Sequence, residues 1–486
     1  MTLPLSLTNT LTRDKETLPP PGEAHTIRLY TCGPTVYNHV HIGNWRAFVF
    51  YDVLHRALTW LGYDLRHVMN ITDVDDKTIR GSRAEGVGLR EFTQRYTDAF
   101  LEDMAALRIL PPTEMPRATD AIPEMVALVE RLLEKGFAYR SDDGSIYFKI
   151  SAFPGYGRLS HLDKRELKAG AGGRVVADEY EKDDVTDFAL WKAWSEADGD
   201  VFWETSLGKG RPGWHLECSA LASKHLGEGT IDIHTGGIDL VFPHHENEIA
   251  QTEADTGQPF SHLWVHNEHL MVGGKKMSKS LKNFFTFREL RELAGASGRE
   301  VRYALLTAHY GKKLNLQVTY EGEGEERRPV RFDAILAARE ALARLDELRA
   351  SLARASGEDP GPEARARVAE LHQGMREAIA DDLNVPAALG KLFELVKEVN
   401  RLPGFDAAFA EEVERVLVDV DQVLGVLEPD ADAGLSAEED ALFQGWVTAR
   451  EAKDWAQADA LRGQLAERGI GVQARKGEST WTRLGS

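Results

Sequence analysis

TIRLYTCGPTVYNHVHIGNWRAFVFYDVLHRALTWLGYDLRHVMN, residues 26–70, is the stretch on which the fold turns. Its opening TIRLYTC, 26–32, has the β-branched and aromatic content of a strand, and Gly33-Pro34 breaks it. Between Asn44 and Tyr63, Phe48, Val49, Val53, Leu54, Ala57, Leu58 and Leu61 recur at helical spacing, with Gly62 near the stop. LRHVMN, 65–70, predicts the next strand. Strand, loop, helix, strand in that order predicts an α/β fold with a parallel, doubly wound sheet. IDIHTGG, 231–237, predicts another strand, ending in glycines, and the loops after such strands are where ligands bind. The chain lacks both GxGxxG and GxxxxGK[ST], so it carries neither the usual dinucleotide fingerprint nor a P-loop.

A chain of 486 residues is too long for one core and predicts several domains. Its 42% hydrophobic content is ordinary for a globular protein. No apolar run approaches the ~18 residues of a membrane span, and the N-terminus lacks the apolar core of a signal peptide. A cytoplasmic protein is expected. Residues 1–116 read as the first half of the sheet domain, 117–204 as an insertion and 205–265 as the second half. The charged, glycine-containing EGEGEERRP, 321–329, reads as a linker. Leu342, Leu345, Leu348 and Leu352 then open a helical bundle over 327–430. In it, Val413, Val416, Leu417, Val420, Val423, Leu424 and Leu427 mark a later helix. Ser436 with Glu439 predicts a capping box at the head of a small final domain, 431–486.

The net charge of −20 argues against a generic nucleic-acid binder, yet it hides a local excess of cations. Lys275, Lys276, Lys279, Lys282, Arg288, Arg291, Arg299, Arg302, Lys312 and Lys313 face only Glu289, Glu292 and Glu300 over 273–315. They read either as a partner-binding patch or as a solvated face.

Three stretches carry chemistry. In FPHHENE, 242–248, a helix starting near Pro243 sets His244 and Glu248 at i and i+4 on one face. HExxH fails, because Ile249 stands four residues after His245. Zinc prefers four ligands from Cys, His and carboxylate, and the only two cysteines, Cys32 and Cys218, are the natural complement. A set so dispersed reads equally well as ordinary buried side chains. HVHIGN, 39–44, precedes a helix whose unpaired N–H groups suit phosphate, with Gly43 allowing close approach and His41 a donor. GGKKMSKS, 273–280, clusters lysines that a polyphosphate would join.

HIGN together with KMSKS resembles the signature of class I aminoacyl-tRNA synthetases. NTLTR (9–13), YTCGPTVYN (30–38), NITDVDDK (70–77), GRPGWHLECSA (210–220) and TGGIDLVFPHHENE (235–248) narrow the resemblance to the bacterial-type cysteinyl-tRNA synthetases, over nearly the whole chain. The resemblance implies a Rossmann-like catalytic domain with an insertion, a KMSKS-containing stem-contact region over 266–326, the helical bundle and a C-terminal anticodon-binding domain. It implies one zinc ion on Cys32, Cys218, His244 and Glu248 that binds the substrate thiolate. Thr72, Trp214 and Asp239 match positions around the substrate cysteine, with Trp214 as a wall and Asp239 opposite the ammonium. His41, Gly43 and Asn44 carry the HIGH-type motif, Gly236 and Gly237 the approach of adenosine, and Lys276 and Lys279 the KMSKS charge.

The implied reaction uses ATP with magnesium to form cysteinyl-adenylate, then passes the cysteine to the 3′ end of tRNA(Cys). A monomer is implied. Trp455, Asp459 and Trp481 are candidates for anticodon contact, by stacking and polar edge contacts. Two departures stand out: Asn44 replaces a second histidine, and ARKGESTW, 474–481, lacks the family's acidic residue and Gly-Thr. Rival readings are a ligase joining cysteine to an amino sugar, a non-catalytic tRNA-binding relative, and a zinc hydrolase. The last is opposed by the missing HExxH and the absence of an evident catalytic base.

Overall fold

The computed structural model describes residues 3–22, 25–162, 187–277, 281, 283–322, 327–429, 437–468, 470–475 and 478–483. Strand β1 (Thr26–Thr31), helix α1 (Ile42–Leu61) and strand β2 (Asp64–Met69) form where the spacing predicts them. Helix α2 (Trp214–Leu226), strand β3 (Ile231–Gly237), helix α3 (Glu246–Thr256) and strand β4 (Ser261–Asn267) follow the insertion. The four strands pair in parallel in the order β4-β3-β1-β2. The chain leaves β1 for β2 on one side, while β3 joins β1 on the other. The crevice beyond the ends of β1 and β3 is therefore the sheet's topological switch point.

Side-chain alternation along these strands feeds two cores. Ile27, Leu29, Ile233, Leu263 and Val265 point into one, which continues through α1 into the helices of the C-terminal half. Tyr30, Cys32, Val68 and Trp264 point into the other, which continues into the insertion. The two cysteines thus lie on the insertion side of the sheet.

The insertion is built on a five-stranded antiparallel sheet in the order 138–140, 146–148, 188–193, 208–212, 203–205. Its strand Gly208–Pro212 runs past the expected boundary at 204. GKGRP has no apolar alternation to announce a strand; pairing with Phe188–Ala193 makes it one. The expected linker at 321–329 is described only at its ends, since 323–326 lie outside the described residues. Val318–Glu321 and Arg328–Phe332 pair as a hairpin, with the Arg327 guanidinium 3.8 Å over the Tyr320 ring.

Four helices, Asp333–Leu352, Pro362–Ala380, Val385–Arg401 and Ala407–Leu424, form the bundle, and the predicted leucine and valine stripes are buried in it. The last domain has two helices, Ala437–Glu451 and Trp455–Glu467, and a hairpin, around Phe443, Trp446, Leu465, Ile470 and Val472. Ser436 of the expected capping box lies outside the described residues. Among the described residues no helix is long and apolar enough to cross a membrane.

One buried ion pair joins the catalytic half to the bundle. Arg302 Nη2 donates to Asp52 Oδ2 at 2.5 Å, both side chains fully buried, and Arg302 Nε donates to the Leu424 carbonyl at 2.6 Å. Asp52 also accepts from Arg56 Nε and the Leu110 amide. Removing one partner of such a pair strands the other charge, at a cost of about 3–5 kcal/mol. Asp52→Ala is expected to lower the unfolding free energy of the first transition in a denaturant titration by that amount; a loss below about 1 kcal/mol would mean Arg302 is satisfied without it.

Candidate active site

Cys32 is the first residue after β1, and its amide donates to the Thr235 carbonyl of β3 at 3.3 Å. This sets its sulfur at the switch point. Cys218 comes from α2, while His244 and Glu248 come from the turn entering α3 and its first turn. His244 Nε2 and Glu248 Oε1 are 2.8 Å apart, the predicted i,i+4 pair, although the regular helix starts at Glu246 rather than Pro243. One donor atom from each of the four residues falls within 4.8 Å of all the others, and all four side chains are buried.

The fit to a metal ion is good. The two sulfurs are 4.0 Å apart, where two metal–sulfur bonds of ~2.3 Å at a tetrahedral angle would set them about 3.8 Å apart. The protonation of the cluster follows the same logic. Burial opposes the Glu248 carboxylate, but His234, His244 and His245 hold it well below the usual range. Burial works against the His244 cation, yet Glu248 and Cys32 raise it to about 10. Burial also opposes the Cys32 thiolate, but the Cys218 hydrogen bond and the His245 and His244 imidazoles bring it well below its usual value. Burial and Cys32 push the Cys218 thiol well up. Protons on Cys218 and His244 thus stand where a cation would.

A second quartet shares two members of the first. Cys32, His234, His245 and Glu248 also converge within 4.8 Å. His234 Nε2 lies 2.6 Å from Glu248 Oε2, and His245 Nε2 lies 3.3 Å from the Cys32 sulfur. The cavity distinguishes the two sets. Cys32, Cys218 and His244 line an open cavity of about 370 Å³, whereas His234 and His245 do not. The first set faces the solvent-reachable space and carries both thiols. His234 then acts on Glu248 from behind, and His215, 2.8 Å from His244 between Nδ1 atoms, does the same for His244.

The same cavity gathers Thr72, Trp214, Asp239, His41, Gly43, Asn44, Gly237 and Lys276. Trp214 packs against the His244 ring, centroids 4.3 Å apart, at the His244 end of the cavity. The Thr72 hydroxyl donates to buried Glu217 and accepts from Asn70 Nδ2 at 3.1 Å. Burial pushes the Glu217 carboxyl well above the usual range. Thr72 is thus held between Glu217 and Asn70 at the cavity wall.

His41 caps α1. Its Nδ1 accepts from the Gly43 and Asn44 amides at 3.1 and 3.3 Å. Burial lowers its pKa to about 4, so near neutrality the ring carries its one proton on Nε2, as a donor. The segment following KMSKS lies against it: Ile42 N donates to Phe285 O at 2.8 Å, and the Phe284 ring meets His41 edge-on at 4.8 Å. A Cβ at Gly43 would come 2.5 Å from Met277 Cε, so glycine here lets the KMSKS region close over α1. Lys279 lies outside the described residues.

Gly236 is the penultimate residue of β3. It is absent from the cavity wall, and a Cβ there would meet His245 Cε1 at 2.5 Å. Its bareness seats His245; Gly237 alone borders the cavity. Glu246 and Asn247, without a role from the sequence, bind the insertion: Glu246 accepts from Gly157 N, Ser160 N and Ser160 Oγ, and Asn247 from the Tyr156 hydroxyl. His215, His234, His266 and Glu217 were not singled out by sequence reasoning. The available signal was an imidazole in an otherwise apolar parallel strand, at His234 in IDIHTGG and His266 in LWVHN.

The basic stretch is thinner than its composition. Arg302 is buried on Asp52, Arg299 on Asp346, and Arg288 pairs with Glu102 and Asp103. Lys275, Lys276, Arg291, Lys312 and Lys313 remain exposed. In the last domain Trp446 is core, whereas Trp455 is 57% exposed, with Asp459 exposed one turn on. Trp481 lies on the final strand, paired with Val472.

Sequence comparison matches a family model described as the tRNA synthetases class I (C) catalytic domain to residues 19–321. A DALR domain matches 374–428, and a cysteinyl-tRNA ligase anticodon binding domain matches 432–481. The cysteine–tRNA ligase of Chlamydia muridarum is 43% identical over 97% of this chain and 98% of that protein. That of Protochlamydia amoebophila is 45% identical over 97% and 96%. A methionyl-tRNA synthetase of Mycobacterium tuberculosis, solved with methionyl-adenylate, superposes with a TM-score of 0.58 at 15% identity, over 83% of this chain and 90% of that one. The last domain's match to an anticodon binder weighs against the amino-sugar and hydrolase readings.

The two quartets make opposite predictions. Cys218→Ala is expected to abolish stoichiometric zinc in the purified protein, measured by atomic emission. His234→Gln is expected to keep the zinc, with affinity about 10–100-fold weaker. The reverse order would assign the ion to the second set.

Proposed function

The chain belongs to the cysteine–tRNA ligases, a family of class I aminoacyl-tRNA synthetases, and from that premise we propose which of its residues select cysteine, activate it and meet the tRNA. The activity is that of an aminoacyl-tRNA ligase: ATP-dependent joining of L-cysteine to tRNA(Cys). One observation carries the residue assignments. Both thiols, His244, Thr72, Asp239 and the capped amino end of α1 open on a single cavity.

Cys32, Cys218, His244 and Glu248 would hold one zinc ion, which would supply a soft Lewis-acid contact suited to a thiolate and poorly suited to a serine hydroxyl. Shape alone separates such near-isosteres by only ~1–3 kcal/mol. Trp214 closes the side-chain end of the pocket. Asp239 faces the substrate ammonium, and the Thr72 oxygen accepts a hydrogen bond from it, its own proton being engaged by Glu217.

In the first step the substrate carboxylate attacks the α-phosphorus of ATP and pyrophosphate leaves. His41 Nε2–H donates to phosphate oxygen, and the amino end of α1 adds its positive dipole. Lys276 and Lys279 stabilise charge on the departing pyrophosphate, whose magnesium comes with the ATP. Gly237 allows adenosine against the backbone. In the second step the terminal 2′-hydroxyl of the tRNA attacks the adenylate carbonyl and AMP leaves. Trp455 stacks on an anticodon base, with Asp459 reading a base edge and Trp481 on the adjoining hairpin. The family supports a cytoplasmic monomer.

Cysteine-dependent ATP–pyrophosphate exchange is the direct test, with serine inactive. Thr72→Val is expected to raise KM for cysteine about tenfold, the loss of one hydrogen bond of ~1–1.5 kcal/mol, with a smaller change in kcat; an unchanged KM would remove Thr72 from the pocket. Because His41 titrates near pH 4, it is neutral across roughly pH 5–8 and should add no inflection there to the exchange rate. Trp455→Ala is expected to lower kcat/KM for tRNA by ~1–3 kcal/mol of stacking while exchange stays at the parent rate. Equal loss in both assays would contradict the anticodon assignment.

A further inference from the structure

We propose that Thr10, in the N-terminal arm, is a positioning residue for the metal centre: its hydroxyl starts a one-way hydrogen-bond relay through His266 and His245 that aims an N–H at the Cys32 sulfur. This rests on the zinc reading above. The atoms are in line. Thr10 Oγ1 lies 2.7 Å from His266 Nδ1, His266 Nε2 lies 2.7 Å from His245 Nδ1, and His245 Nε2 lies 3.3 Å from Cys32 Sγ.

The direction follows from the last acceptor. A metal-bound thiolate has no proton, so His245 must carry one on Nε2. A neutral imidazole protonated there offers only a lone pair on Nδ1, so His266 must donate to it from Nε2. His266 Nδ1 is then a lone pair as well, and only a donor can satisfy it. The Thr10 hydroxyl is that donor. Were the relay reversed, an imidazole lone pair would face the thiolate. His245 and His266 are buried, where such a mismatch is not relieved by water.

The arm is fixed for this task. Thr10 N donates to the Trp264 carbonyl at 2.7 Å, two residues before His266 on β4. Asn9 Oδ1 accepts from Trp264 N at 3.1 Å, and Asn9 Nδ2 donates to the His262 carbonyl at 3.1 Å. His161 of the insertion reaches the Thr10 carbonyl at 3.0 Å through Nε2. Thr10 is thus clamped to the edge of β4 by backbone and side-chain bonds that do not use its hydroxyl. Gly236 completes the arrangement by leaving His245 its seat. His245, which bonds to a metal ligand without being one, gains a role.

The test uses full-length Thr10→Val and Thr10→Ser, each prepared with zinc and with cobalt. Valine keeps the shape and removes the donor; serine keeps the donor. Thr10→Val is expected to release zinc to a competing chelator about tenfold more readily. In the cobalt form its thiolate-to-metal charge-transfer band should move to lower energy, because the sulfur has lost a hydrogen bond. KM for cysteine should rise by a larger factor than kcat falls. Thr10→Ser should match the parent in all three. A Thr10→Val protein with parental zinc retention and an unshifted band would overturn the relay. So would a Thr10→Ser protein that behaves like Thr10→Val, since that would make methyl packing the cause. A parent protein with no thiolate-to-cobalt band would overturn the metal reading itself.

Discussion

Two thiols, an imidazole and a carboxylate lie buried within 4.8 Å of one another at the switch point of a parallel sheet, and much of the surrounding structure exists to make that tolerable. Anionic sulfur and carboxylate in a low-dielectric site are costly unless a cation and hydrogen-bond donors face them. Here the donors are supplied in rank behind the cluster. His234 faces Glu248, His215 faces His244, and His245 faces Cys32. Each is delivered by a rigid element, so the donor set is preorganised before any substrate arrives. The fourth side of the cluster opens on the cavity, so a metal held there would keep one side free to meet a ligand.

The cavity is shaped by parts of the chain far apart in sequence. The insertion is tied to the metal-bearing turn through Glu246 and Asn247, so its position and that of His244 are linked. On the opposite side, the segment after KMSKS packs on His41, and Gly43 leaves room for Met277. The Arg302–Asp52 pair then fixes the stem-contact region and the bundle to α1. The bundle and the cavity therefore belong to one set of packed elements, while Trp455 stands on a last domain with a core of its own.

Much of this was legible in the sequence, for physical reasons that differ by residue. The strand–helix–strand opening is local and strongly periodic, and the bundle stripes are too. The metal quartet became readable only through motif resemblance, because Cys32 and Cys218 approach His244 across the sheet and no spacing rule reaches that far. The supporting histidines were silent for the same reason: His266 and Thr10 meet through β4 and the N-terminal arm. Composition misled where burial decides. Arg299 and Arg302 count as cations in the basic stretch but are consumed inside the fold. The room that Gly236 leaves for His245 is likewise set by a contact distant in sequence. At 321–329 the charges hide a cross-strand pairing at the ends, where Glu321 stands opposite Arg328.

X-ray absorption at the zinc edge addresses the central claim, that the metal recognises the substrate's sulfur. The account predicts two sulfur scatterers around zinc in the resting protein, one more when L-cysteine is added, and no change with L-serine. A first shell that stays the same with cysteine, or that holds no sulfur at all, would contradict it.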